Sequence, residues 1–224
     1  RWFLTTVGAD GPSNAAASLG TLIHAVAEEH PHGTPEELTE ALDARIEELG
    51  YNLDTWAGRH SDRRARAIVE NLASYLVGVP GRVDVEQKVE AQVEGVTIRG
   101  RMDRLEYVDE GVRVTDLKTG SNSDPYRKVD DNAQLAAYQL ALLASGEDVA
   151  GARIALLGTK KKPQTFDQKP LQGEALAQWR NKVREVAESA RGPYFEARPS
   201  DAACAYCSFD RLCPARERGH KVVE

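Results

Sequence analysis

The chain has 224 residues, 41% of them hydrophobic, and a net charge of −6. That apolar content supports the core of one large domain, or a domain with a lobe, and excludes a disordered chain. The acidic balance speaks against nucleic-acid binding through bulk charge. Such contact is expected from local clusters, Arg99, Arg101 and Arg104, the run Arg59, Arg63, Arg64 and Arg66, and Lys160, Lys161 and Lys162, each of which also reads as a solvated face, or in part from a folded partner.

No apolar run approaches ~20 residues and no signal peptide is visible, so a membrane span is excluded and a cytoplasmic location is expected. The opening Arg1-Trp2-Phe3-Leu4 lacks a Met and reads as the middle of an element, as in a piece of a longer protein. Ala15 to Glu29 has helical spacing at Leu19, Leu22, Ile23 and Val26. His24 falls at the edge of that apolar face, where a histidine alone reads as structural. Thr34-Pro35-Glu36-Glu37 is a helix start with a capping box, and that helix stops at Gly50. Ser61 is the expected cap of a helix through Leu76, with Trp56 and Tyr75 assigned to the core. These elements form an amino-terminal helical lobe over residues 1–80.

A sheet-bearing core is expected over 81–195. Arg82 to Val93 is its first strand and carries Glu86; Glu94-Gly95 turns the chain into a second strand, Val96 to Val108. Asp109-Glu110-Gly111 is a turn, and Val112 to Lys118 returns. Asp116 and Lys118 then share a face, and a loop of Asp109-Glu110 alone puts Asp103 opposite Asp116; a glycine bulge would shift that register by one. Facing carboxylates repel, and a divalent cation reverses the sign; oxygen ligands suit magnesium or manganese. Taken alone, Asp-x12-Asp-x-Lys also reads as a solvated hairpin. After a polar loop, Ser121 to Lys128, a helix from Asp131 to Leu143 places Gln134 and Tyr138 on one face. Gly151 to Thr159 is a strand buried on both faces, and Lys160 to Pro163 turns into a strand from Gln164 to Lys169. Glu174 to Ala190 is helical, and residues 196–224 form a tail with Cys204, Cys207 and Cys213. Three clustered cysteines point to metal rather than disulfides. No Gly-x4-Gly-Lys-[Ser/Thr] motif occurs, so the chain carries no P-loop motor.

Four motifs in one order carry a resemblance: Gly20 with His24, Gly100-Arg101-Met102-Asp103-Arg104, Asp116-Leu117-Lys118-Thr119-Gly120, and Gln134 with Tyr138. The chain resembles the PD-(D/E)XK nuclease superfamily in its RecB-like branch, and most of all the carboxyl-terminal nuclease domain of AddB/AdnB-type helicase–nucleases. The resemblance implies an α/β restriction-endonuclease-like fold, a central mixed sheet flanked by helices. It implies a metal-dependent DNA nuclease, exonucleolytic and leaving 5′-phosphates, in double-strand-break processing. Its partners would be DNA and a helicase motor, in the same polypeptide or in another subunit, with no membrane involved. Asp103 and Asp116 would hold Mg2+ or Mn2+ with His24, the Leu117 carbonyl and, as a further acid, Glu86. Lys118 would orient water or stabilise charge, with Gln134 and Tyr138 supporting the site and Arg101, Arg104, Lys160 and Lys161 contacting DNA. Cys204, Cys207 and Cys213 would bind a 4Fe–4S cluster whose fourth cysteine lies upstream of Arg1. A Cys3His zinc site completed by His220 is the local alternative. Two other readings are a stand-alone iron–sulfur nuclease of the CRISPR-associated type and an inactive DNA-binding scaffold. The intact Asp103, Asp116 and Lys118 argue against the scaffold.

Overall fold

The computed structural model describes residues 15–48 and 53–192, with Pro199, Ser200, Cys204, Cys207, Phe209, Cys213 and Ala215. The chain divides into two compact units, one of Ala15–Val186 and one of Arg1–Asn14 with Ala187–Glu224. Arg1 to Leu4, Gly50 and His220 lie outside the described residues.

The larger unit begins with three helices, α1 (Ala15–Glu29), α2 (Pro35–Glu48) and α3 (Trp56–Val77). The capping box forms as the sequence predicts: the Glu37 N–H donates to Thr34 Oγ1 at 3.2 Å, and the Thr34 N–H donates to the Glu37 carboxylate at 2.8 Å. α3 departs from expectation. It starts a turn and a half before Ser61, because Thr55 is the N-cap and its Oγ1 accepts the Gly58 N–H at 3.0 Å. Trp56 is therefore the first helical residue, on the side opposite Ala65, Ile68, Val69 and Leu72. It is 71% exposed, not core, and stacks on His60 with centroids 5.3 Å apart. Tyr75 is buried as expected.

A five-stranded sheet follows in the order β1-β2-β3-β4-β5. β1 (Val83–Val93), β2 (Val96–Val108) and β3 (Gly111–Lys118) form an antiparallel meander. The helix α4 (Ala133–Ala144) crosses to β4 (Val149–Leu156), parallel to β3, and β5 (Gln164–Gln168) pairs antiparallel with β4. The turn between β2 and β3 is Asp109-Glu110 with no register shift, since Val108 pairs with Gly111 and Arg104 with Thr115. Gly111 has φ +128, and a Cβ there would lie 2.1 Å from the Asp148 carbonyl, so glycine is obligatory. The polar segment before α4 holds two short 3-10 turns, Asp124–Tyr126 and Val129–Asp131.

Helices cover both faces of this sheet. α1–α3 pack with Leu117, Ala155 and Leu157, while α4 packs with Met102, Leu105, Val114 and Ile154. The first turns of α5 (Gly173–Arg191) extend the second layer through Leu176, Trp179 and Val183. Among the described residues no helix is long and apolar enough to cross a membrane.

Burial on both faces explains one correction. Arg104, expected to contact DNA, is fully buried. Its Nε lies 3.6 Å from the Glu106 carboxylate, and its Nη2 donates to the Pro31 carbonyl at 3.1 Å. Glu106 is buried too; it accepts two hydrogen bonds from Arg113 at 3.0 and 2.9 Å and one from the Tyr75 hydroxyl at 2.5 Å. Arg104 is thus a structural cation beneath α3, shut off from any phosphate.

Candidate active site

The site lies where β2 and β3 part. Extending the register beyond Arg104–Thr115 sets Asp103 opposite Asp116. The Leu117 N–H donates to Asp103 Oδ2 at 2.7 Å, so a carboxylate takes a group that the ladder would otherwise use. Across β1, pairing runs on either side of Glu86 and Asp103 but skips that pair. Glu86 has φ +51, a left-handed backbone that costs a non-glycine residue about 1–2 kcal/mol. The kink accompanies a close cluster. A nitrogen of His24 and carboxylate oxygens of Glu86 and Asp103 all lie within 4.8 Å of one another.

His24 arrives there because α1 runs close to the end of β3. A Cβ at Gly20 would sit 3.4 Å from Thr119 Oγ1, and one turn later His24 Nδ1 is 3.5 Å from Asp103 Oδ1. The hydrogen bond to Asp103 raises the imidazole pKa; burial opposes this, and the charges of Asp103, Asp116 and Glu86 add to it. Burial raises Glu86 above the usual carboxylate range against the pull of Arg101. Arg101 is not a free cation. Its Nε pairs with Glu86, and its Nη2 with Glu28 at 3.3 Å.

Asp116 and Lys118 form the other half. Lys118 Nζ is 2.7 Å from Asp116 Oδ2, and Gln134 Nε2 donates to Asp116 Oδ1 at 2.7 Å. Burial raises the pKa of Asp116 more than Lys118 lowers it, and the charge of Asp103 adds to the rise. Burial pulls the Lys118 ammonium down, but Asp116 beside it wins and holds it protonated. Tyr138, a turn after Gln134 on α4, accepts from Gln134 Nε2 at 3.3 Å and donates to the Arg101 carbonyl at 2.7 Å. One chain of hydrogen bonds therefore runs from Asp116 through α4 to the backbone beside Asp103.

Two glycines complete this arrangement, and neither role was read from the sequence. A Cβ at Gly100 would lie 2.7 Å from Cε1 of Tyr138, so β2 must be bare there for the ring to reach Arg101. At Gly158 a Cβ would lie 2.3 Å from the carbonyl oxygens of both Thr119 and Gly120, so the chain after β4 is pressed against the chain after Lys118. Lys160 and Lys161 are exposed and head the turn into β5. In the smaller unit, the Cys204 N–H donates to the Ser200 carbonyl at 2.9 Å and the Cys207 N–H to the Cys204 carbonyl at 3.3 Å; the three described cysteines are free thiols.

A mixed five-stranded sheet with helices on both faces is the architecture of the restriction-endonuclease-like class of α/β nuclease folds. The model of the PD-(D/E)XK nuclease superfamily matches residues 1–214, and the chain belongs to that family. It is 27% identical over 234 residues to the Gene 69 protein of Mycobacterium phage D29, covering 87% of this chain and 83% of that protein. A solved structure from Eubacterium rectale, named "Putative exonuclease", superposes with a TM-score of 0.53 at 15% identity, covering 89% of this chain and 74% of that one; the likeness is one of fold.

Proposed function

We propose that this chain hydrolyses DNA phosphodiester bonds with Mg2+ or Mn2+, acting exonucleolytically. The observation that carries the reading is the fork itself, with Asp103 facing Asp116, Lys118 bound to Asp116, and His24 and Glu86 beside Asp103. The donor set fits such an ion: one imidazole nitrogen and several carboxylate oxygens, with Glu86 and Asp116 raised by burial and by the charge of Asp103. His24, Asp103, Asp116, the Leu117 carbonyl and Glu86 would hold it. When bound, the ion would polarise the phosphate and acidify water. The chain's own groups do the rest. The Leu117 N–H fixes the Asp103 carboxylate, and Gln134 fixes Asp116. Asp116 keeps Lys118 charged, so its ammonium can orient an attacking water or offset charge on the phosphate. Tyr138 steadies Gln134 and ties it to the Arg101 backbone.

Labelled linear DNA incubated with Mg2+, Mn2+ or EDTA tests the reading, with closed circular DNA as a control. Cleavage of linear DNA alone, abolished by EDTA, is expected; a folded protein inert with both metals would end the assignment.

Two settings suit this activity. One is a helicase–nuclease that resects double-strand breaks. The other is a stand-alone nuclease, and it has a specific observation in its favour: the phage protein is matched over 83% of its own length, which leaves little room for a motor. The length of the full reading frame decides between them. Cys204, Cys207 and Cys213 supply three thiolates, and the sequence holds no other cysteine, so a 4Fe–4S cluster needs a ligand from elsewhere. The expected sign of a cluster is a brown protein on anaerobic purification; a colourless protein with one bound zinc would assign the thiols to zinc.

A further inference from the structure

The first turns of α3 carry a surface that the proposed chemistry does not use. Trp56 is 71% exposed and lies parallel to His60, 5.3 Å between centroids and 11° between planes. The same helical stripe continues through Arg63 and Arg64, both exposed. No carboxylate among the described residues pairs with either. By contrast Arg66, round the helix, is held by Asp62 and Asp43. Arg59 is also occupied, donating to the Leu53 and Asp54 carbonyls and so holding the start of the helix.

Leaving a tryptophan on water costs the burial free energy of a large side chain. Here the ring is preorganised by a second aromatic and lies on the same helical stripe as two guanidinium groups, about two turns along, that pair with no carboxylate among the described residues. An aromatic platform beside cations is the chemistry that holds single-stranded nucleic acid, with a base on the ring and phosphates on the arginines. A duplex offers no free base face to such a platform. The opposite side of these turns packs on the site-bearing helix: Ser61, Asp62 and Ala65 line a small cavity with Leu19 and Leu22 of α1, the helix of His24.

We infer that the Trp56–His60–Arg63–Arg64 face of α3 docks a single-stranded segment of the DNA substrate. The choice of DNA rests on the nuclease reading.

The test measures anisotropy of labelled oligothymidylate and of a blunt duplex with the full chain in EDTA. Trp56→Ala should weaken single-strand binding roughly 5- to 100-fold, the loss of one base stack, and leave duplex binding unchanged. Arg63→Gln with Arg64→Gln should flatten the log K versus log salt slope by about 1.4 for the single strand. Both changes are at exposed positions, and circular dichroism checks the fold. Wild-type single-strand affinity in both variants overturns the inference. So does a loss shared equally by the duplex, or self-association of the chain that vanishes in Trp56→Ala. The two readings fail separately. Selective loss of single-strand binding in a chain that never cleaves DNA would uphold this face and refute the nuclease, whereas cleavage with unaltered binding would do the reverse.

Discussion

Substituting Gly100 by Ala tests whether the hydrogen-bonded chain from α4 to β2 is what aligns the site. The new methyl would sit 2.7 Å from Cε1 of Tyr138, against an ordinary carbon contact of about 3.5–4 Å, so the ring must retreat by roughly 1 Å. Its hydroxyl lies 2.7 Å from the Arg101 carbonyl, and a displacement of that size breaks the bond. Overpacking costs about 1–3 kcal/mol and the lost hydrogen bond about 1, while replacing a strand glycine returns up to ~1. The net is ~2 kcal/mol, a fall in Tm of roughly 4–8 °C for a chain of this size. Gln134 loses its neighbour and its hold on Asp116, so cleavage should slow by about tenfold. Differential scanning fluorimetry and a timed nuclease assay measure the two effects. The decisive control is the same substitution in Tyr138→Ala, where the methyl meets empty space and should cost nothing further. An equal loss of stability in both backgrounds would show that the methyl clashes with something else and that Gly100 is not there for Tyr138.

Further outcomes follow from the contacts of the site and of the buried pairs beneath α3. Asp116→Ala should lose cleavage on the order of 10³-fold while its melting curve stays near wild type, and Lys118→Ala should lose rate severely yet retain metal binding by calorimetry. Gln134→Ala should slow cleavage by about tenfold, less than Asp116→Ala does; a greater loss in a folded protein would shift the centre of the site onto α4. Glu106→Gln should cost about 3–5 kcal/mol in urea unfolding because it strands the buried Arg104 and the half-buried Arg113, whereas Arg104→Met should stay within ~1 kcal/mol, since Arg113 still pairs with Glu106. Burial, then the charge of Glu106, raises the Tyr75 hydroxyl well above the usual phenol range. A raised group lends stability that is complete below the unfolded value, near pH 10, and is lost as pH rises through the folded one. Tyr75→Phe should therefore melt with a shallower alkaline decline than wild type, and parallel declines would contradict the buried hydroxyl.

The site's backbone was legible because hairpins obey strict rules. Alternation along β2 and β3, the Asp109-Glu110 turn and Gly111 set which residues oppose one another, and the pairing from Val108–Gly111 to Arg104–Thr115 runs in the register that the two-residue loop gives. The capping box at Thr34 was legible for the same reason, since its two hydrogen bonds are local. What stayed hidden depends on partners distant in sequence. Arg104 follows the ordinary pattern of a charged strand residue, and only the arrival of α3 and the Pro31 loop over the sheet buries it. The contact of Gly100 with Tyr138 links β2 to α4, and the string GRMDR carries no trace of it. Trp56 was readable in principle. Taking Thr55 rather than Ser61 as the cap extends the helix backward and sets Trp56 opposite Ile68 and Leu72, on the wet side.

The buried pairs beneath α3 also constrain how this protein can change. Glu106 serves two arginines and a tyrosine, while Arg104 serves one carboxylate at 3.6 Å and one carbonyl. The partners are therefore unequal as first steps. Loss of Glu106 isolates two cations at once, but loss of Arg104 leaves a charge-balanced pair behind. A mutational path toward an apolar interior must then begin at Arg104, and Glu106, fully buried, must go before or together with the half-buried Arg113, since losing Arg113 first would strand the carboxylate. The same substitutions taken in the opposite order pass through an unstable protein. Epistasis here is directional, and libraries that vary these positions together should recover combinations that single-site scanning rejects.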